Sequence, residues 1–169
     1  MRHLARELTT EITMLGDVIA DLLAGHRGYR VIRQLPGIGP VLAAVITAEI
    51  GDVTRFANPD QPCSLAGLTP RHSESGTKAA RGHHVTRQGS RLLRRALTEA
   101  IQRIPRDCVI GAARQAIIHR RGKEARNIAG VAAARRLLTV VFCRMRDGQI
   151  RCPSQPPAGP AAAQTAPAA

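Results

Sequence analysis

The stretch Gln34-Leu-Pro-Gly-Ile-Gly-Pro40 limits what this chain can fold into more than any other part of it. Two glycines flank one apolar residue, Ile38, and a proline follows. Glycine reaches positive φ without steric penalty, so Gly37 and Gly39 let the chain reverse with that geometry. Pro40 suits the first turn of a helix, where a missing N–H is no loss. Val41, Leu42, Val45, Ala48 and Glu49 then follow at helical spacing. The expectation is a short helix, a tight hairpin and a second helix. Such a hairpin offers backbone N–H groups and a helix N-terminus to a phosphate. This is the helix-hairpin-helix pattern of proteins that hold DNA without reading its sequence, and the same pattern also serves as a plain αα-turn.

Charge favours the first reading. Among 169 residues, 25 Lys and Arg stand against 12 Asp and Glu, a formal net charge of +13 with a pI near 11.5. That excess is the electrostatic footprint of a nucleic-acid binder. With two Phe, one Tyr and no Trp, stacking of bases on aromatic platforms is not the expected mode. Cys63, Cys108, Cys143 and Cys152 are widely spaced, with no C-x-x-C pair and no zinc-like Cys/His run, so free thiols in a reducing cytosol are expected. No apolar run approaches membrane-spanning length, and charge interrupts the N-terminal apolar residues, which excludes a signal peptide and a membrane partner. A bacterial cytoplasmic location, in association with the nucleoid, is the expectation.

The order of elements predicts an all-α fold. Leu4, Leu8, Ile12, Leu15, Ile19 and Leu22 step by four and three residues over an amphipathic helix spanning 2–25, the seam of a coiled coil. Gly25-His26-Arg27-Gly28 breaks it, and Tyr29 to Gln34 forms the first hairpin helix. Asn58-Pro59-Asp60 reads as a turn and N-cap before a short helix from Gln61 to Ala66 that ends at Gly67, with Phe56 as a core anchor beneath the turn. Ser90 caps a helix to about Ile104, with Leu92, Leu93, Ala96 and Leu97 inward, and Pro105 stops it. A helix over about 107–119, a basic turn Arg120-Arg-Gly-Lys123, and a last helix from Glu124 to about Arg146 complete a small bundle. Val131, Ala134, Leu138, Val141 and Met145 mark the packed seam of that last helix. From Pro153 the chain is mostly Pro, Ala and Gln without charge, a disordered tail. The expected division is a truncated coiled-coil helix over 1–27, a helical domain over 28–150 and the tail over 151–169.

Between Leu68 and Gly89 no apolar period is visible, and a polar loop of that length inside a compact domain is commonly functional or disordered. Ser73 and Ser75 lie there among Arg71, Lys78, Arg81 and Arg87, with Arg91, Arg94 and Arg95 following at the start of the next helix. A serine hydroxyl attacks a phosphodiester when a base or a strongly positive field eases its deprotonation, and guanidinium groups hold phosphate oxygens bidentately. Ser75 precedes Gly76, which lets a backbone approach closely, so it is the better candidate of the two. His72, His83 and His84 read as phosphate contacts or plain loop residues. The acids are scattered, so no metal site and no pair of magnesium ions is expected.

The succession Leu-Pro-Gly-Ile-Gly-Pro, Gly-Asp-Val-Thr-Arg-Phe, Leu-Ala-Gly-Leu-Thr-Pro-Arg, Glu-Ser-Gly, and His-Val-Thr-Arg-Gln-Gly-Ser with Leu-Leu-Arg-Arg-Ala-Leu resembles the C-terminal domain of the insertion-sequence one-ten family of transposases. Arg-Arg-Gly-Lys-Glu-Ala and Val-Ala-Ala-Ala-Arg-Arg-Leu-Leu extend the likeness to about residues 1–150. The resemblance implies a recombinase that moves DNA, with an N-terminal RuvC-like domain carrying a metal-binding acidic cluster, a coiled coil, and a C-terminal domain whose serine becomes covalently joined to DNA. It implies Ser75 as that catalytic serine, with Ser73 as the less favoured register, a structured guide RNA as a further partner, and a homo-oligomer built through the coiled coil. The hairpin and the basic cluster themselves give Gly37, Gly39, Arg71, Lys78, Arg81, Arg87, Arg91, Arg94 and Arg95 as the expected DNA contacts. The RuvC-like pattern does not occur in this sequence, so any divalent metal such as magnesium is expected in that domain alone. A transposase fragment inactive by itself is the expectation, with a non-catalytic binding module or an inert remnant as alternatives.

Overall fold

The computed structural model describes residues 2–70 and 85–147. Among them are seven α-helices and no strand: α1 (Arg2–Leu22), α2 (Arg27–Arg33), α3 (Pro40–Ile50), α4 (Asp60–Leu65), α5 (Arg91–Arg103), α6 (Val109–Arg121) and α7 (Arg126–Asp147). Short 3₁₀ turns occupy Val53–Arg55 and Lys123–Ala125. The fold is all-α, as the sequence predicts. The expected tail over 151–169 and most of the polar loop, residues 71–84, lie outside the described residues.

Local chemistry explains most of the boundaries. The His26 Nδ1 accepts from the Tyr29 amide at 3.2 Å and caps α2. Asn58 Oδ1 accepts from the Asp60 and Gln61 amides at the start of α4. Ser90 Oγ accepts from the Leu93 amide at 2.9 Å and caps α5. At the other end of α5, Ile104 leaves helical geometry (φ −66°, ψ 130°), as a residue before proline must. The expected basic turn is shorter than the sequence suggests, because α6 continues through Arg121 until Gly122 turns with φ +82°. α7 correspondingly starts at Arg126, after the 3₁₀ turn.

α7 is the central post of the bundle, with α2, α4, α5 and α6 packed on it, while α3 rests on α5. Ile32, Ile46, Ile50, Leu93, Leu97, Leu137, Leu138, Val141 and Phe142 are fully buried between them. Burying a side chain of this size contributes about 1.5–3 kcal/mol each relative to leaving it in water. The predicted α7 seam is inward, with Ala134, Leu138, Val141 and Met145 buried and Val131 half-buried. Phe56 packs against the core from its turn, with the Arg55 guanidinium 4.5 Å from its ring centre.

Two expectations are corrected, one about side-chain direction and one about backbone conformation. Leu92 is 60% exposed rather than inward. The buried stripe of α5 is Leu93, Ala96, Leu97, Ala100 and Ile101, continued by Ile104, and successive residues of a helix point about 100° apart, so only one of the two adjacent leucines can sit in it. In the hairpin, Gly37 alone takes positive φ (+82°), whereas Gly39 is extended (φ −82°, ψ 177°) and precedes Pro40 at the first turn of α3. The reason is packing: a Cβ on Gly37 would stand 2.7 Å from the Ala100 carbonyl oxygen and 2.8 Å from Ile104 Cγ1. With Leu35 and Ile38 buried on either side, the hairpin tip is a wedge against the end of α5.

α1 behaves differently from the other long helix. Its C-terminal part lies on α3, where Gly16 approaches Val41 and where Ala20 and Leu23 join the core. Most of its seam faces outward: Leu4, Leu8, Ile12, Leu15 and Leu22 are between 50% and 78% exposed, and Ile19 is half-buried.

Candidate nucleic-acid interface

The ends of the polar loop are held together by a backbone clasp. Pro70 and Val85 form an isolated antiparallel bridge, the Thr86 amide donates to the Thr69 carbonyl at 2.9 Å, and the Arg87 amide donates to Gly67 O at 3.2 Å. The Ser90 amide closes the base by donating to Leu65 O at 2.7 Å. So close an approach requires glycine on both strands of the clasp. Gly67 (φ +65°) has Gln88 O at 2.5 Å from where a Cβ would be, and Gly89 (φ +125°) has Leu65 O at 2.2 Å. Arg87 takes φ +53°, a left-handed conformation that disfavours side chains by roughly 1–2 kcal/mol.

Arg94 locks the clasp from α5. Its Nη1 donates to Ala66 O at 2.9 Å and to Arg87 O at 3.2 Å, one carbonyl from each side of the loop base. The sequence offers Arg94 as a phosphate contact, but the structure also gives it a tie between the two arms that carry the loop. Ser75, Arg71, Lys78 and Arg81, with Ser73, His72, His83 and His84, lie outside the described residues.

Beside the clasp opens a groove of about 1370 Å³. It begins at Leu68, Val85 and Arg87, follows the outer face of α5 past Arg91, Leu92, Arg94, Arg95 and Thr98, and reaches Arg114 on α6 and Arg126, Asn127, Gly130 and Val131 on α7. Seven arginines line it (87, 91, 94, 95, 103, 114 and 126) against one carboxylate, Glu99, which is paired with Arg103 at 2.9 Å. Like charges crowd here with almost no internal compensation, so the groove carries a strong positive field of the kind that gathers polyanions. Leu92 supplies an apolar strip of its wall. α5 is 13 residues long, so the groove runs for about 20 Å at 1.5 Å per residue. Duplex DNA carries one charge per about 1.7 Å of axis, so a run of that length faces several phosphates.

Four predicted contacts, Arg87, Arg91, Arg94 and Arg95, are brought together along this groove. Gly37 and Gly39 do not line it. Arg103, Arg114 and Arg126 are lining arginines that sequence reasoning missed. The signal for Arg126 lay in its place at the first turn of α7, three residues after the basic turn; Arg114 gave no sequence signal, because no other basic residue lies within four positions of it.

Other ionisable groups have structural explanations. Asp52 accepts from the Thr54 backbone amide and hydroxyl at 2.8 Å each, and these bonds, the backbone one foremost, hold its carboxyl below its ordinary value. Burial pushes the Cys63 thiol up from its ordinary value. Cys63, Cys108 and Cys143 are free thiols. Among the described residues, no group of three or more His, Cys, Asp or Glu side chains is placed to hold a metal ion, and no helix is long and apolar enough to cross a membrane.

Comparison with known proteins gives a consistent outcome. The family model described as "Transposase IS116/IS110/IS902 family" matches residues 29–127, more than half of the chain. The uncharacterized 43.6 kDa protein of insertion element IS110 from Streptomyces coelicolor is 39% identical over 79 residues, covering 47% of this chain and 19% of that protein. The uncharacterized 44.8 kDa protein of insertion element IS116 from Streptomyces clavuligerus is 29% identical over 127 residues, covering 75% and 31%. A probable family 20 transposase from Pseudomonas aeruginosa is 32% identical over 115 residues, covering 64% and 34%. The matched region thus spans between about a fifth and a third of the length of these relatives.

Proposed function

The chain belongs to the IS116/IS110/IS902 family of transposases, and on that premise we propose that it takes part in transposition as a nucleic-acid-binding unit that presents a serine to a DNA phosphodiester. The observation that carries the reading is the arginine groove opening at the clasp from which the Ser75 loop departs. Arg87, Arg91 and Arg95 bind backbone phosphates along the groove, and Arg94 keeps the loop base at its entrance. Contacts of this kind position a strand without reading its sequence. The bound strand's scissile phosphate is delivered to the loop, where the Ser75 hydroxyl forms a bond to phosphorus, its proton leaves to a base, and the bond from phosphorus to the departing DNA oxygen breaks. Divalent metal chemistry belongs on this reading to a RuvC-like domain outside these 169 residues. A second copy docks through the exposed Leu8, Ile12 and Leu15 seam of α1, and a structured RNA is a further ligand for the basic surface.

Two measurements test this. Fluorescence anisotropy with a labelled duplex is expected to show binding that weakens steeply with salt, and an Arg91→Gln/Arg95→Gln variant is expected to lose about tenfold or more in affinity. No binding at low salt overturns the reading. For the chemistry, a full-length family member supplies a RuvC-like domain, and a covalent protein–DNA adduct on this chain is expected that disappears in Ser75→Ala. An adduct that survives the substitution sinks the serine assignment, while binding without any adduct favours a module that only holds nucleic acid.

A further inference from the structure

At the end of α5 remote from the clasp, the groove continues into a smaller hollow of about 300 Å³ between α5, α6 and the start of α7. Arg114 and Arg126 line both spaces, as does Gln102, so the two are joined. Three arginines (106, 114 and 126) and two amides (Gln102 and Gln115) face this hollow, and no carboxylate lines it. Arg114 is the unusual member. Its Nε is buried with no hydrogen-bond partner, and its Nη1 makes one long bond, 3.5 Å, to the Ile101 carbonyl. A guanidinium with one shielded nitrogen unpaired and another on a single long bond is undersatisfied, so an anion that reaches its remaining donors is held strongly. Three guanidinium groups and two amide donors without a competing acid suit the tetrahedral oxygens of a phosphate.

We propose that this hollow is a phosphate subsite for the backbone of the bound nucleic acid, with Arg114 as its anchor and Arg106 and Arg126 as its flanks. The inference rests on the groove's binding nucleic acid and extends that groove past the end of α5. The strand enters at the clasp, follows Arg91 and Arg95, and is pinned at its far end by Arg114. The subsite fixes register along the groove and reads no base.

The test is duplex binding over a salt series. Arg114→Gln is expected to weaken binding about tenfold at moderate salt and to lower the slope of log affinity against log salt by about one, the signature of one lost phosphate contact. Arg114→Lys, which keeps the charge, is expected to retain most of the slope. Arg106→Gln changes an exposed side chain that the fold does not need, and is expected to reduce the slope as well. A salt slope left unchanged by both Arg114→Gln and Arg106→Gln, while Arg91→Gln/Arg95→Gln lowers it, overturns the subsite and leaves the groove standing. Failure of the unsubstituted chain to bind a duplex at low salt overturns both. Titration with inorganic pyrophosphate separates the other source of the same chemistry: pyrophosphate binding that Arg114→Gln abolishes, with no effect of that variant on duplex binding, identifies a free-anion site and overturns the proposal.

Discussion

α1 and α7 carry nearly the same message in sequence and end in opposite situations. Both are long helices, of 21 and 22 residues, with apolar residues stepping by three and four. The α7 stripe is buried by α2, α4, α5 and α6, whereas the α1 stripe is exposed along most of its length. The difference lies in how many neighbours each helix has. Helices on several sides cover α7, while α1 meets the bundle through its C-terminal half, where Gly16, Ala20 and the following Leu23 lie on the α3 side. A hydrophobic period therefore states which face of a helix seeks cover. It does not state whether the cover comes from the same chain.

The sharpest way to break this contrast is to truncate each seam in turn. Leu138→Ala in α7 is expected to destabilise the fold by about 2–5 kcal/mol, since it opens a cavity in a closed core. Denaturant unfolding measures it, and a cost below 1 kcal/mol would show that α7 is not the post of the bundle.

A pH series tests the α4–α7 contact through Cys63, whose buried Sγ lies 3.8 Å from the Arg135 carbonyl of α7. Desolvation raises this thiol above its ordinary value of 9.0, outweighing the opposing effect of Arg135. The unfolded chain then releases the proton first, so the folded state holds more protons above pH 9 and stability falls as pH rises. The contribution is complete below the unfolded value and is lost towards the raised folded one, with a slope of at most about 1.4 kcal/mol per pH unit. Cys63→Ala is expected to flatten that part of the profile, and an unaltered profile would mean that the thiol is not shielded by α7.

Arg135→Ala removes an ion pair to Asp60 at 2.7 Å on the outer side of the same contact. Asp60 is mostly exposed, so a loss of about 1 kcal/mol or less is expected, shrinking in high salt. Thermal melts at two ionic strengths check it, and an effect as large as that of Leu138→Ala would move the weight of the contact from its apolar centre to its rim.

The smallest effect on folding is expected in α1. Leu8→Ala and Ile12→Ser, both at exposed positions, should change the stability of the dilute chain by no more than about 0.5 kcal/mol each. On the proposed docking of a second copy, the unsubstituted chain is expected to associate with rising concentration in sedimentation, and the same changes should abolish that association. If instead they destabilise the monomer as α7 substitutions do, the α1 seam is covered within one chain.

Much of the fold was legible because its signals are local. The Ser90 cap, the stop before Pro105, the place of Pro40 and the α7 seam each depend on residues within one or two turns of one another. The candidate site was legible in part. Arg87, Arg91, Arg94 and Arg95 cluster in sequence, so their common surface follows from one helix and its entry. Arg94's tie to Ala66 and Arg87, and the joining of Arg114 to Arg126, bring together residues from separate elements, and no sequence period encodes such a meeting. Leu92 failed for a related reason: beside Leu93, its direction depends on which leucine the neighbouring helices cover.

By itself the sequence determined an all-helical chain, the positions of its caps and breaks, an excess of positive charge, and a run of motifs that names a transposase family. These are properties of local backbone preference, composition and residue order. Only the tertiary structure decided that Gly37 serves packing against α5, that Gly67 and Gly89 close the loop base, and that arginines from α5, α6 and α7 share one groove. Those outcomes depend on how closely separate elements approach, and such distances are set by side chains far apart in the chain filling one core.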